Sequence, residues 1–127
     1  MKDFKNADLS VADFSGASLH SACFSGASLN NAFFSGADLS KAFFSGSNLR
    51  GSFFSGADLS GAGFRNAAFF RADFNKANLS GADLRKAVFF AADLSEADLS
   101  KADLSDATWD EYTVWPEGIG PLPKEES

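Results

Sequence analysis

The 127-residue sequence is poor in the residues that most small proteins use for chemistry, with one cysteine and one histidine. The lone Cys23 excludes an internal disulfide, and it lacks companions for a metal site. His20 has no catalytic partner suggested by the sequence, so we expect a surface residue. No apolar run reaches the roughly 18 residues that cross a membrane. We therefore expect no enzyme, no cofactor, no metal site and no membrane contact.

Charge of one sign is also missing from most of the chain. The formal net charge is −6, yet residues 1–101 hold ten acidic and ten basic residues. Residues 102–127 hold seven acidic residues and one basic residue, so the excess lies at one end. The five scattered bases of residues 65–86 form too small a patch for direct nucleic-acid binding.

β-Branched residues are scarce, whereas Phe, Leu and Ala are abundant, and a five-residue period explains this composition. A large apolar residue recurs at every fifth position from Phe4 to Trp109, which gives twenty-two consecutive pentapeptides over residues 2–111. Two positions earlier the residue is small, usually Ala, and Asp, Asn or Ser often lies between them. This period fits neither an α-helix nor a straight strand.

Short extended pieces separated by corners do fit the period. The small and large residues then point inward, and the residue between them points outward. In the first half the full unit is ten residues, because Phe and Leu alternate at the large position. Like residues then stack only if a coil has an even number of sides, and four sides enclose a core that these side chains fill. The sequence predicts about five and a half coils of 20 residues.

The motif of Ala, then Asp or Asn, then Leu or Phe, then two variable residues resembles the pentapeptide-repeat family. The resemblance covers residues 2–111 and implies a right-handed quadrilateral parallel β-helix, an all-β solenoid. It also implies a non-catalytic structural or protein-interaction module. The alternative is a DNA mimic that binds DNA gyrase, as in quinolone-resistance members of the family. Such a mimic should have an acidic body, and the balanced charge of residues 1–101 argues against it.

The two ends differ. Trp109, Tyr112 and Trp115 lead us to expect an aromatic cap of residues 108–123 over the last coil. Beyond the repeats, we expect the segment 112–127 to consist of this cap and a disordered tail at residues 124–127. An acidic, aromatic docking tail is the alternative. The first coil has no comparable cap, so self-association through an open N-terminal coil is expected. With the repeat starting at Phe4 and no leader recognisable, we expect a cytoplasmic protein.

Large residues at outward positions are the candidate interaction residues. Phe33 and Phe53 lie one coil apart, and Phe43 lies on the opposite side. Phe70 and Phe90 are predicted at one corner with basic side chains around them, an arrangement typical of a protein-binding site. The remaining members of this group are Arg50, Arg65, Arg71, Arg85, Lys86 and Val88. The alternative is that these side chains only thicken the wall of the coil.

Overall fold

A computed structural model describes residues 2–118 of the chain. Within that range there is no helix and no continuous strand, and the β-structure consists of single-residue parallel bridges. The bridges begin with Asp3 paired to Cys23, and each partner lies 20 residues further along until Val88 pairs with Thr108. The chain is therefore an all-β repeat solenoid with a 20-residue repeat of register, as the ten-residue alternation predicts.

Four columns of bridges run through the solenoid, and each defines one side by its outward residues. Side 1 begins at Asp3, side 2 at Asp8, side 3 at Asp13 and side 4 at Ser18. Between sides the chain turns, and the backbone N–H of each small residue donates to the carbonyl of the preceding large residue, as Ala7 does to Phe4 at 3.0 Å. The second residue of each corner has a positive φ, which a type II turn requires.

Backbone hydrogen bonds hold successive coils together in a repeating pattern. Leu49 donates its N–H to the carbonyl of Ala68 in the next coil at 2.8 Å, and Asn48 donates to Ala27 in the preceding coil at 3.0 Å. The extended piece and the corner both take part, since Gly51 donates to Phe70 at 2.8 Å. The outward residues are thus fixed on a regular ladder, with neighbouring coils about 4.8 Å apart.

The core consists of stacked large side chains separated by small ones. Phe34, Phe54 and Phe74 stack on side 3, with neighbouring ring centroids 4.9 Å apart. Phe44 and Phe64, on side 1, meet the Phe54 ring edge-on at 5.9 and 6.4 Å. From Ala22 to Ala97 the small positions are almost completely buried, because the facing large side chains leave room for little more than a methyl group.

Outward Asp and Asn residues have a structural role that follows from the turn. Asp58 Oδ1 accepts hydrogen bonds from the backbone N–H and the hydroxyl of Ser60, at 3.0 and 2.7 Å. Asn78 likewise accepts from the N–H of Ser80 at 3.0 Å. An outward carboxylate or amide thus satisfies a corner N–H that the coil ladder does not reach. The preference for these residues reflects turn chemistry as well as exposure to water.

The register changes at the C-terminal end. Asp93 pairs with Val114, 21 residues further along, so the last described coil contains one extra residue. Trp115 lies 5.6 Å from the Phe89 ring and 5.7 Å from the Trp109 ring, measured between centroids. Tyr112 was expected in the aromatic cap. Instead it lies in a turn and is 69% exposed, so it does not take part in this packing. The prediction of a disordered tail falls on residues outside the described range.

Asp110 replaces a missing ladder contact in that longer coil. Its Oδ1 accepts from the N–H of Ala91 at 3.0 Å, where a backbone carbonyl would accept in earlier coils. Burial alone would raise the pKa of Asp110, but the hydrogen bonds from Ala91, Thr113 and Tyr112 outweigh it and lower the pKa.

Among residues 2–118 no helix is long and apolar enough to cross a membrane.

Candidate interaction surface

Side 2 differs from the other three sides in its outward column. From Ser28 onward that column reads Ser28, Asn48, Ala68, Val88 and Thr108, and it contains no carboxylate. In the same coils, side 1 presents Asp83, side 3 presents Asp73, and side 4 presents Asp38 and Asp58. The second half of side 2 therefore offers an uncharged floor built from short side chains.

One edge of this floor is the corner between sides 2 and 3, where Arg50, Phe70 and Phe90 follow one another in successive coils. The Phe70 and Phe90 rings meet edge-to-face with centroids 6.3 Å apart. The Arg50 guanidinium carbon lies 5.0 Å from the Phe70 ring centroid, and that of Arg71 lies 5.5 Å away. We call Arg50, Phe70, Arg71 and Phe90 the aromatic corner.

The aromatic corner is less exposed than the sequence suggests. Phe70 and Phe90 are half-buried, and so is Val88 beside them. The cause is visible in the contacts, because two guanidinium groups cover one ring and the two rings cover each other. Cation–π contacts of this kind hold an arginine in place while its outer edge stays available.

The other edge of side 2 is the corner between sides 1 and 2, where Arg65, Arg85 and Lys86 lie. Arg85 donates two hydrogen bonds to Asp83, each of 2.8 Å, and its Nε lies 3.9 Å from a carboxylate oxygen of Asp103. These hydrogen bonds lower the pKa of Asp83 and raise that of Arg85. The charge of Arg65 also helps to lower the pKa of Asp83. Within residues 2–118 only Arg85 forms an ion pair, so Lys86 has no carboxylate partner there.

The other outward phenylalanines lie away from this surface. Phe33 and Phe53 stack on side 3 with centroids 4.9 Å apart and rings 7° from parallel. Phe43 is 47% exposed on side 1, where it pairs through its backbone with Cys23 and Gly63. Sides 1 and 3 face opposite directions, so the structure does not bring these residues together into one surface.

His20 does have a serine in register, which the sequence analysis overlooked. Its Nδ1 lies 2.8 Å from Ser40 Oγ, and that hydroxyl donates to Asp38 Oδ1 at 2.7 Å. The order is therefore His–Ser–Asp, and the hydroxyl proton points to the carboxylate instead of the imidazole. A nucleophilic serine needs the histidine as its base, so these exposed hydrogen-bonded side chains do not form a Ser–His–Asp triad. The hydrogen bonds from Ser40 lower the pKa of Asp38.

Two backbone N–H groups at the aromatic corner are not evident from the sequence. In residues 2–118 no hydrogen bond reaches the N–H of Phe70 or that of Phe90. The cause is the outward residue two positions earlier. In the coil of Arg50 this residue is Asn48, whose side chain accepts from the N–H of Arg50 at 3.2 Å. Before Phe70 and Phe90 it is Ala68 and Val88, which have no acceptor. The signal in the sequence is the break in the run of outward polar residues on side 2.

The geometry defines an all-β repeat solenoid, and comparison with known proteins identifies its family. The model for pentapeptide repeats matches with eight copies over residues 3–31, 29–66, 37–75 and 67–106. This chain belongs to the pentapeptide repeat family. No curated protein matches it.

Two solved structures support the assignment. A pentapeptide repeat protein of the cyanobacterium Cyanothece 51142 is 31% identical, with a TM-score of 0.72 over 73% of this chain. A pentapeptide repeat protein of the Arabidopsis thaliana thylakoid lumen is also 31% identical, with a TM-score of 0.63 over 82% of this chain. The chain spans 63% and 62% of the lengths of those two proteins.

A third structure is a trypsin-treated variant of QnrB1, a plasmid-mediated fluoroquinolone resistance protein. It is 26% identical, with a TM-score of 0.51 over 87% of this chain and 78% of its own. All three comparisons describe proteins that this chain resembles in fold.

Proposed function

We propose that this chain is a non-catalytic structural and protein-interaction module that contacts a protein partner through the aromatic corner. The observation that carries the proposal is the placement of two aromatic rings and two arginines on the outside of a solenoid whose core is already filled. Phe54, Phe64 and Phe74 are completely buried, so the wall does not need Phe70 or Phe90 to close the core.

The physical chemistry of the aromatic corner favours a protein partner. Aromatic and arginine side chains dominate the binding energy of protein interfaces, because they bury large areas and lose little conformational freedom. Here the cation–π contacts fix Arg50 and Arg71 before a partner arrives, which lowers the entropic cost of binding. Family members generally act as structural or interaction modules, which agrees with this proposal.

The proposal includes the finer points of architecture and setting. We propose a right-handed quadrilateral β-helix of about five and a half coils over residues 2–111, followed by a C-terminal cap, in a cytoplasmic protein. Self-association through the first coil is a further prediction, and the partial exposure of Phe4, Leu9 and Phe14 there supports it.

DNA mimicry is the alternative function, and the fold similarity to QnrB1 is the observation that favours it. Against it stand the bases on side 2, where a mimic of duplex DNA would carry acids. Arg50, Arg65, Arg71 and Lys86 all lie along the edges of one side. We therefore place protein interaction through the aromatic corner first.

A pull-down with matched variants tests the proposal. The double variant Phe70→Ser/Phe90→Ser removes both rings of the aromatic corner and leaves the core and the net charge unchanged. We expect a partner retained by the wild-type chain to be lost, with a decrease of tenfold or more, because hot-spot truncations cost about 2 kcal/mol or more. Bound proteins are quantified by mass spectrometry.

The control is Phe33→Ser/Phe53→Ser, which removes two stacked outward rings from side 3. It makes the same chemical change one side away, so we expect it to retain the partner. Partners common to the wild-type chain and the Phe70→Ser/Phe90→Ser variant would contradict the assignment of the aromatic corner as the binding surface.

A further inference from the structure

We propose that side 2 binds an extended acidic segment of a partner protein, and that two carboxylates of this segment accept the free N–H groups of Phe70 and Phe90. The proposal rests on the protein-interaction function given above and names the chemistry of the partner. The floor of the site is Ala68 and Val88, and the aromatic corner forms one wall.

The first step of the argument is a rule that the solenoid follows elsewhere. Where an outward residue is Asp or Asn, its side chain accepts the corner N–H two residues later. Asp73 accepts from Asn75 at 2.9 Å, Asp83 from Arg85 at 3.2 Å, and Asp93 from Ser95 at 2.9 Å. The corner N–H is therefore a donor that a carboxylate satisfies well when one is within reach.

The second step is that side 2 lacks these carboxylates in two successive coils. Ala68 and Val88 occupy the outward positions, and the N–H groups of Phe70 and Phe90 have no hydrogen-bond partner among residues 2–118. Because the coils stack at about 4.8 Å, the two free donors lie about one coil apart. Side 2 thus has two vacant acceptor positions in register.

The third step separates side 2 from other places with free corner donors. Ser35 and Ser55 follow the outward residues Phe33 and Phe53, and their N–H groups also have no hydrogen-bond partner among residues 2–118. These serines lie at the corner between sides 3 and 4, which has no basic residue until Lys76 in a later coil. At Phe70, in contrast, Arg50 and Arg71 lie over the ring, so positive charge and free donors coincide. Within residues 2–118 the N–H groups of Ser25, Ser45 and Arg65 are also free, and they lie at the opposite edge of side 2.

Charge complementarity then selects the occupant. Side 2 and its two corners carry Arg50, Arg65, Arg71, Arg85 and Lys86, and they carry no acid from Ser25 to Ala91. An extended chain advances about 6.7 Å over two residues, so carboxylates on alternate residues can bend to two donors about 4.8 Å apart. A segment of the form Glu-x-Glu therefore fits.

A protein segment fits better than a nucleic acid. Asp83 and Asp103 line the far edge beside Arg85, and Asp106, Asp110 and Glu111 follow at the C-terminal end of the same side. A continuous run of phosphates would meet these acids, whereas a short acidic segment ends before them. The apolar floor and the Phe rings also suit the methylene groups of glutamate side chains.

The test uses the full chain and a fluorescein-labelled 12-residue peptide of alternating glutamate and serine, with fluorescence anisotropy as the readout. We expect saturable binding that weakens with added salt, and no binding of the same peptide with glutamine in place of glutamate. The variant Arg50→Gln/Arg71→Gln should weaken binding about tenfold or more, since each lost charge-assisted contact is a large fraction of the affinity.

The most specific variant is Ala68→Asp/Val88→Asp, which supplies the missing carboxylates from the chain itself. We expect it to fold with unchanged or higher thermal stability, because each new Asp accepts a corner N–H as Asp73 and Asp93 do. The same variant should abolish peptide binding. A control, Asn78→Asp, adds a carboxylate on side 4, where Asn78 already accepts from Ser80, and should bind as the wild type does.

Several outcomes would overturn the proposal. These are absence of binding at millimolar peptide, equal binding of the glutamine peptide, or equal loss of binding in the Asn78→Asp control. Tighter binding of a single-stranded oligonucleotide that the Ala68→Asp/Val88→Asp variant abolishes would assign side 2 to a nucleic acid. A dimer mass in light scattering that this variant converts to monomer would assign it to a second copy. If only the peptide fails and the pull-down still depends on Phe70 and Phe90, the proposed function stands and this inference is wrong.

Discussion

Replacing Phe54 with alanine is expected to lower the free energy of unfolding by about 3–5 kcal/mol. Phe54 is completely buried, and its ring stacks between those of Phe34 and Phe74 at 4.9 Å on either side. Removing it leaves a cavity in the middle of the ladder, and the hydrogen-bonded coils cannot move together to fill it. Urea unfolding followed by circular dichroism measures the change.

The adjacent residue provides the control. Phe53 has the same side chain one position away, but it points outward on side 3 and is 37% exposed. Phe53→Ala loses only its stacking on Phe33, so we expect a cost below about 1 kcal/mol. Equal losses for the two variants would mean that the phenylalanine ladder is not the main source of stability.

A larger residue at a small core position is the second change with a large expected effect. Ala62 is completely buried on side 1, two residues before Phe64. Ala62→Leu adds three carbon atoms to a filled interior, and we expect a loss of about 1–3 kcal/mol through displaced rings and strained coils. Thermal unfolding by calorimetry gives the value.

The same substitution on the outside separates overpacking from any general effect of leucine. Ala68 lies at an outward position of side 2 and is only partly buried. Ala68→Leu should change the stability by less than about 0.5 kcal/mol. A comparable loss at both positions would contradict the view that the small positions are selected by internal volume.

The sequence predicts the register of this solenoid well, because the Phe and Leu columns have a regular period. Phe4, Phe24 and Phe44 fall in one stack at a spacing of 20 residues, and their rings lie about 5 Å apart in the structure. The side-chain period alone therefore locates the core and the outward positions. It also gives the chemical class of each side, since every outward residue can be read from the column.

Local hydrogen bonding is less accessible from the sequence. The role of Asp58 or Asp83 in the turn depends on the distance between a carboxylate and an N–H two residues later, which a repeat period does not specify. The half-burial of Phe70 is equally inaccessible from the period, because it depends on where Arg50 and Arg71 place their guanidinium groups. The register change at Val114 lies where the five-residue period ends, so the period alone does not specify how Asp93 pairs.

Photo-cross-linking from side 2 tests the central claim most directly. A photoreactive residue replaces Asn48 on side 2 in one protein and Asn78 on side 4 in another. The two positions match, since each asparagine accepts a corner N–H, from Arg50 and from Ser80 respectively. If side 2 is the docking surface for a protein partner, only the protein carrying the label at position 48 will give adducts with the captured partner. Equal adducts from both positions, or adducts from position 78 alone, would contradict the account.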